Sequence, residues 1–329
     1  MNNVKFPENS IITVTGGAGF IGSNLVDALL AHGNKVTVLD NFSTGKKENL
    51  IRAEKNPDFR LITGDIRNID DCRRAAEGAD YVLHEAALGS VPRSINNPAT
   101  TTEVNISGFV NMLFAAVETK VKRFVYAASS STYGDCREIP MREETIGRPL
   151  SPYAVTKYVN ELFAENFHRV YGIDCIGLRY FNVFGRRQSP DGAYAAVIPK
   201  FASALLHGES PVINGDGTVS RDFTYIGNVV NANMLALTAE NSDALNQVYN
   251  VACGSETSLN RLFEILREEL AECDPAIGKI EAAHTAPRPG DIPRSLADIS
   301  KAEKLLNYTP QYTFADGIRL TARWYFENL

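Results

Sequence analysis

The sequence has no run of about 18 or more consecutive apolar residues, the length a membrane-spanning helix needs. No transmembrane helix is therefore expected. Residues Met1 to Ser10 are polar and carry both charge signs. They lack the apolar stretch of a secretory signal, so the expected compartment is the cytoplasm. Cysteine is scarce and unpatterned: Cys72, Cys136, Cys175, Cys253 and Cys273 are odd in number and contain no C-x-x-C spacing. That argues against a zinc site and a disulfide framework, and fits a reducing compartment. The five histidines show no ligand spacing, and no metal is expected. An excess of positive charge is missing too: 33 Lys and Arg stand against 39 Asp and Glu, a net charge of -6. This is not the footprint of a nucleic-acid binder. The pairs Lys46–Lys47, Arg73–Arg74 and Arg186–Arg187 read as solvated surface, although a pair beside a site could meet a phosphate. Internal repeats and low-complexity tracts are absent.

What remains is an ordinary globular composition, 44% hydrophobic and 22% charged over 329 residues. A chain of this length can bury a large core and corresponds to roughly two domains of about 150 residues. The apolar pattern alternates. Ile11–Val14 is a short β-branched run followed at once by Gly16, Gly17 and Gly19. Ile21, Leu25, Leu29 and Leu30 then recur at helical spacing, and Val36–Leu39 is a second β-branched run ending at Asp40. Strand, glycine turn, helix and strand make one βαβ unit. Phe59–Ile62, Tyr81–His84, Phe124–Ala127 and Ile176–Leu178 read as further strands, with helical patterns between them, including Thr102–Thr119. Ser151 as N-cap and Pro152 at the first helical position open another helix. Repeated βα units predict an α/β fold: a Rossmann-like, doubly wound parallel sheet with ligands at the carboxyl ends of its strands. After Tyr180 the pattern loosens, with Gly and Pro gathered at 182–192, 214–217 and 287–293. These read as loops of a smaller α/β substrate-binding domain. The expected division is 1–180 plus about 222–252 for the dinucleotide domain, and 181–221 with 253–329 for the substrate domain.

Gly16-Gly17-Ala18-Gly19-Phe20-Ile21-Gly22 is a G-x-x-G-x-x-G turn between strand and helix. Missing side chains let backbone approach a pyrophosphate, and the helix N-terminus favours its charge. Such a motif alone is common in turns; its context strengthens it. Asp40 ends the next strand, where a carboxylate can accept both adenosine ribose hydroxyls and would repel a 2′-phosphate, favouring NAD over NADP. The alternative for Asp40 is a cap on the turn that contains Asn41 and Ser43, which the order of strand, turn, helix and acid disfavours. Asp65-Ile66 and Ala86-Ala87 follow the third and fourth strands, positions that face the cofactor in this fold or are simple strand ends.

Tyr153 and Lys157 lie one helical turn apart on one face. Free tyrosine titrates near 10, so a nearby ammonium and a positive nicotinamide ring would be needed to favour its phenolate. Such a pair also occurs on exposed helices. Upstream, Phe124–Ala128 runs into Ser129, Ser130 and Ser131, hydroxyls at a carboxyl strand end that can bond a substrate oxygen and relay its proton, or form a plain serine turn.

At this point the chain resembles the extended short-chain dehydrogenase/reductase family. The matching stretches, TGGAGFIGS, LDNFSTG, GDIRN, HEAA, AASSSTYG, PYAVTK and LRYFNVFG, follow one another over nearly the whole chain. LGSVPRS, SPYAVTKYVNEL, RQSPDGAYAAVIPK, INGDG, SRDF, RPGDIP and SLADISKA are similar to nucleotide-sugar 4-epimerases acting on N-acetylhexosamines. The resemblance implies that Tyr153 is the base at the 4-hydroxyl, that Ser129 assists the proton, and that Lys157 lowers the Tyr153 pKa. It places NAD against Gly16, Gly19, Phe20, Ile21, Gly22, Asp40, Asn41, Phe42, Ser43, Thr44, Gly45, Asp65, Ile66, Ala86, Ala87, Asn105, Tyr153, Lys157 and Tyr180. It places a UDP-sugar against Gly89, Ser90, Ser129, Ser130, Ser131, Asn182, Gln188, Ala196, Val197, Lys200, Asn214, Arg221, Arg288, Asp291 and Ser295. Arg221 and Arg288 suit a pyrophosphate, since guanidinium forks pair well with phosphate oxygens, although any single Arg can equally make a surface ion pair.

Related 4,6-dehydratases carry Asp-Glu where this chain has Ser130-Ser131, and hydroxyls do not readily donate the proton that expels a 6-hydroxyl. No dehydration is expected. In this family one position in the C-terminal loop limits room for an N-acetyl group, and it falls on Ser295. A small residue there implies UDP-GlcNAc/UDP-GalNAc interconversion, in supply of surface polysaccharide. A UDP-glucuronate or UDP-N-acetylhexosaminuronate 4-epimerase or decarboxylase is the nearest rival; a non-catalytic NAD-sensing protein is the rival of another class, which would have no need of Tyr153, Lys157 and Ser129 together. The resemblance also implies a homodimer in which the helices Thr102–Thr119 and Pro152–Tyr171 form a four-helix bundle.

Overall fold

A computed structural model describes residues 6–191, 195–287 and 292–329. Its centre is a seven-stranded sheet of β1 (Ile11–Thr15), β2 (Lys35–Asp40), β3 (Phe59–Thr63), β4 (Tyr81–His84), β5 (Arg123–Ser129), β6 (Cys175–Tyr180) and β7 (Gln247–Val251). The order is β7-β6-β5-β4-β1-β2-β3 and every pairing is parallel. The inner strands β1, β4, β5 and β6 are largely buried on both faces, so they read as mainly apolar runs rather than alternating ones. Thr13, which enters β1, is satisfied: its hydroxyl donates to Ala75 O at 2.6 Å. The order reverses between β1 and β4, the switch point where a doubly wound sheet opens a crevice.

Helices cover both faces. Phe20–Ala31 and Ile226–Thr238 bury Leu25, Leu29, Val229 and Ala236 on one side. Ile69–Ala76, Gly108–Glu118 and Pro152–Tyr171 bury Cys72, Met112, Phe109 and Phe167 on the other. The long helix Pro152–Tyr171 begins as its sequence predicts: Ser151 Oγ accepts from Ala154 N at 3.1 Å, and Gly172 ends it in the left-handed region, φ 75°. The pattern at Thr102–Thr119 is a composite. Pro98–Thr102 and Gly108–Glu118 are α-helical, and Glu103–Ser107 between them widens into a π turn. β7 has no counterpart in the predicted strands; it returns to the sheet edge beside β6 after the Ile226–Thr238 helix.

A separate apolar cluster holds the helices Val197–Leu206, Leu259–Ala271 and Phe314–Asn328 together through Phe201, Leu205, Leu262, Leu266 and Ile318. Above the β-sheet's carboxyl edge, Ser220–Arg221 pairs with Thr257–Ser258 and with Arg294–Ser295, and Val212–Asn214 pairs with Ala283–Thr285. Among the described residues no helix is long and apolar enough to cross a membrane.

Candidate active site

The carboxyl ends of β1, β2, β4, β5 and β6 open into one cavity of about 520 Å³. Its floor is the glycine turn. Gly16 has φ +68°, and a Cβ there would lie 2.8 Å from the Ala86 backbone. A Cβ on Gly22 would collide with the Gly16 carbonyl oxygen. The turn therefore has to be side-chain-free to pass beneath β4. The helix it opens has no capping side chain and no acidic residue in its first turn. Its free backbone N–H groups and positive dipole end face the cavity wall, the arrangement that suits a pyrophosphate.

Asp40 does both things that its position allows. Its Oδ2 accepts from Ala18 N at 2.9 Å and its Oδ1 from Phe42 N at 2.8 Å, which caps the turn. It also lines the cavity, and each oxygen retains a lone pair for a ribose hydroxyl. Asn41 donates to Asp65 Oδ2 at 2.9 Å, and Arg67 pairs with Asp65 at 2.7 Å, which holds that carboxyl down at about 2. Gly19, Phe20, Ile21, Ser43, Thr44, Gly45, Ile66, Ala86, Ala87 and Tyr180 line the same cavity. Phe42 does not; it sits at φ 57° beneath Lys47, 5.4 Å from its ring centroid. Asn105 also stands outside the cavity. The π turn directs it behind the wall, where its Oδ1 accepts from Leu88 N at 2.8 Å and its Nδ2 donates to Thr156 Oγ1 at 3.1 Å. It ties the β4 loop to the long helix instead of lining the pocket, where its neighbour Val104 is found.

Tyr153 and Lys157 reach the cavity from the first turns of the long helix, and Ser129 and Ser130 reach it from the end of β5. Lys157 is 3% exposed; its Nζ donates to Ala127 O at 2.7 Å, and burial brings its pKa down to about 8. Burial raises the Tyr153 phenol above its ordinary value, a hydrogen bond with Ser129 draws it down, and the Glu85 charge draws it up. Lys157 spends one of its three N–H groups on Ala127 O, and the Ser129 hydroxyl draws the Tyr153 phenol downward. Ser129 and Ser131 hydroxyls share a hydrogen bond of 2.8 Å; Ser131 lies one step behind the cavity wall.

The residues expected to meet a sugar divide into two groups. Gly89, Ser130, Asn182 and Gln188 line the cavity beside Tyr153. Asn182 holds φ 36°, an uncommon value that its Nδ2 bond to Asp222 O at 2.9 Å secures. Gln188 donates to Val183 O at 2.9 Å and keeps a buried Oε1 without a partner. Ser90, Ala196, Val197, Lys200, Asn214, Arg221 and Ser295 lie outside that wall. Ser90 caps the short helix Val91–Asn96 and Ala196 precedes the helix Val197–Leu206. Asn214 ends the strand paired with Ala283–Thr285, and Ser295 sits directly opposite Arg221 in register. Arg288 and Asp291 lie outside the described residues. Sequence reasoning passed over Glu85, Leu88 and Val104, which also line the cavity. The signal for Glu85 was its place directly after β4, at the switch point, between residues of the HEAA string that were singled out.

The chain matches the model of the NAD dependent epimerase/dehydratase family over residues 12–252. It is 36% identical over 314 residues to UDP-glucose 4-epimerase of Mycolicibacterium smegmatis, spanning 95% of this chain and 97% of that one. Its fold is similar to the structure of UDP-N-acetylglucosamine 4-epimerase from Methanobrevibacter ruminantium M1 in complex with UDP-N-acetylmuramic acid, at 41% identity and TM-score 0.91, over 98% of this chain and 100% of that one. It is also similar to UDP-glucuronic acid 4-epimerase from Bacillus cereus in complex with UDP-glucuronic acid and NAD, at 31% identity and TM-score 0.86, over 97% of this chain and 100% of that one.

Proposed function

The chain belongs to the NAD dependent epimerase/dehydratase family, and from that premise we propose that it is a UDP-N-acetylglucosamine 4-epimerase, interconverting UDP-GlcNAc and UDP-GalNAc by transient oxidation at carbon 4. The observation that carries this is the meeting of Tyr153, Lys157 and Ser129 in the same cavity as an uncapped helix N-terminus and Asp40. In this reading residues 1–180 with about 222–252 hold the cofactor, and 181–221 with 253–329 hold the UDP-sugar.

The residues present fit NAD. The glycine turn would take the pyrophosphate, Asp40 the adenosine ribose, and Tyr153 with Lys157 the nicotinamide ribose. Bound there, NAD would supply the hydride acceptor and donor that reversible oxidation at carbon 4 requires. Tyr153 takes the proton of the 4-hydroxyl as the carbonyl forms and returns it after the sugar has turned. Ser129 bonds both the phenol and the substrate oxygen, so it keeps the two aligned. Placed beside the 4-hydroxyl, Tyr153 needs a lower pKa than this unliganded arrangement gives it, and the positive charge of the oxidised cofactor works in that direction. Ser130 and Ser131 provide no carboxylic acid to expel a 6-hydroxyl, which favours epimerisation over dehydration.

The acetylated substrate is supported by Ser295, small and 8% exposed, next to Arg221 in the loop-side sheet. Incubating the purified protein with UDP-GlcNAc, without added NAD, should yield UDP-GalNAc. A clear preference for UDP-glucose or UDP-glucuronate in the same assay would overturn the substrate assignment. We also propose a homodimer through the long helix, whose Val155, Leu162, Val170 and Tyr171 are exposed apolar side chains. Sedimentation that returns a monomer would rule it out.

A further inference from the structure

A carboxyl that the 4-epimerase chemistry does not use stands inside the cofactor cavity. Glu85 follows β4 directly, is half-buried, and lines the cavity together with Ala86, Tyr153 and Lys157. Its Oε1 accepts the Tyr180 hydroxyl at 2.9 Å. Tyr180 in turn accepts from Asn233 Nδ2 at 2.9 Å. The direction of this chain is fixed from its far end. Asn233 Nδ2 also donates to Val229 O at 2.9 Å, so the amide nitrogen has to face Tyr180. The buried Asn233 Oδ1 points elsewhere and has no partner. With an N–H pointed at its oxygen, Tyr180 is set to turn its own hydrogen towards Glu85. The protein thus arranges Glu85 Oε1 as an acceptor, a role open to either oxygen of a carboxylate but only to the carbonyl oxygen of a neutral carboxyl, so the contact favours the charged form.

Three titratable groups face Glu85: Lys157 and Tyr153 from the long helix and Tyr180 from β6. Enclosure by the fold pushes the Glu85 carboxyl up to about 7, against the Tyr180 hydrogen bond and the Lys157 charge, which both draw it down. His84, the preceding residue, packs against Phe109 and Phe124, bonds Thr15, and is kept neutral by burial.

We infer that Glu85 is a positioning residue for the redox balance of the bound cofactor: its carboxylate, held as an acceptor by the Tyr180–Asn233 chain, stabilises the positively charged oxidised nicotinamide over the neutral reduced one. This rests on the family's use of NAD, not on the identity of the sugar. The function follows from the reaction's two halves. The keto sugar and reduced cofactor exist together only in passing, and an enzyme that favours the oxidised cofactor drives the hydride back to carbon 4. Loss of that bias would leave reduced cofactor stranded whenever the keto sugar escaped. No group is consumed: Glu85 keeps its electrons and its charge throughout, and only its field acts.

The test is competitive exchange. Holoenzyme is equilibrated with mixtures of free NAD⁺ and NADH, and the ratio retained is read from the near-ultraviolet band of reduced nicotinamide. Well above pH 7, Glu85→Gln should shift retention towards NADH by at least about tenfold, the size of a charge interaction across about 10 Å at an effective dielectric of about 20. Well below pH 7 the two proteins should converge, because Glu85 is then protonated in the wild type. Tyr180→Phe removes the donor but leaves the carboxyl, and should move the pH of convergence upward. An unchanged ratio in Glu85→Gln, or an equal change at both pH values, overturns the inference. Were Glu85→Gln to fail to fold, a pH-independent ratio in the wild type or an unmoved transition in Tyr180→Phe would overturn it as well. No UDP-sugar enters the measurement, so its outcome is separate from the epimerase assay.

Discussion

Ser295 lies directly opposite Arg221, in the parallel pairing of Arg294–Ser295 with Ser220–Arg221. Two residues that the sequence separates by the helices Ile226–Thr238 and Leu259–Ala271 share one rung. The Ser295 carbonyl accepts from Asp222 N at 2.8 Å, which fixes the rung's backbone. A side chain larger than serine at 295 therefore cannot escape by shifting the strand. Ser295→Tyr should cost at least about tenfold in kcat/KM for UDP-GlcNAc, in line with about 1–3 kcal/mol for overpacking a closed site. UDP-glucose should be affected little. A steady-state comparison of the two substrates checks this, and equal losses on both would remove Ser295 from the account of specificity.

Tyr153→Phe removes the phenolic oxygen and nothing else. Loss of a positioned acid–base group typically costs about 10²–10⁴ in rate, and a loss in this range is expected in kcat, with the fold unchanged. Ser129→Ala should give a smaller loss and raise the pH at which activity appears, because the Ser129 hydrogen bond is what pulls the Tyr153 phenol downward. A pH profile of kcat for both variants separates these roles. A Ser129→Ala profile that overlays the wild type would show that Ser129 does not tune Tyr153.

The glycine turn gives a prediction that needs no substrate. Gly22→Ala places a methyl group against the Gly16 carbonyl, and Gly16→Ala adds one against Ala86 at a backbone angle, φ +68°, that disfavours side chains. Both should purify with less bound NAD than the wild type, measured by denaturing the protein and quantifying released nucleotide. Gly33→Ala is the control. It has a similar φ of +73° but no neighbour near its Cβ, so its NAD content should be unaffected.

Much of this was legible before any coordinates. The first six sheet strands are short apolar runs bounded by Gly, Asp or Ser, and their predicted ends differ from the observed ones by no more than two residues. The helix at Pro152 announced itself through Ser151 and Pro152. Features set by tertiary contact were not legible. β7, Gln-Val-Tyr-Asn-Val, is a short mixed stretch without a clean period, and its partner, β6, lies far away in sequence. The π turn at Glu103–Ser107 is bound up with Asn105 reaching Leu88, a contact no periodicity encodes. The same turn carries Asn105 out of the pocket to which a linear motif assigns it. Arg221 and Ser295 meet only because β-pairing folds distant loops together, and the Tyr180–Asn233 chain that orients Glu85 spans β6 and a helix.

Lys157 yields the last prediction, in which stability and pH are linked. Its folded-state pKa is depressed, from 10.5 to about 8, because burial penalises the ammonium. Below about pH 8 the folded protein carries a buried charge that the unfolded chain carries in water, and this cost is fully present. Between about pH 8 and 10.5 the folded protein has released the proton while the unfolded chain still binds it, so stability rises with pH. Above that range both forms are neutral and the cost is gone. The full swing is about 3 kcal/mol at 1.4 kcal/mol per pKa unit. Lys157→Met has no such proton. The difference in unfolding free energy between the two cofactor-free proteins, followed by denaturant titration across this range, should move in favour of the wild type by up to that amount as pH rises. Subtracting one protein from the other cancels the remaining lysines, tyrosines and cysteines, which titrate in both. Bound NAD should shrink the swing if a ribose hydroxyl takes up the ammonium now spent on Ala127 O. A difference that stays flat with pH would mean that Lys157 is solvated in solution, and its direct grip on a ribose would have to be reconsidered.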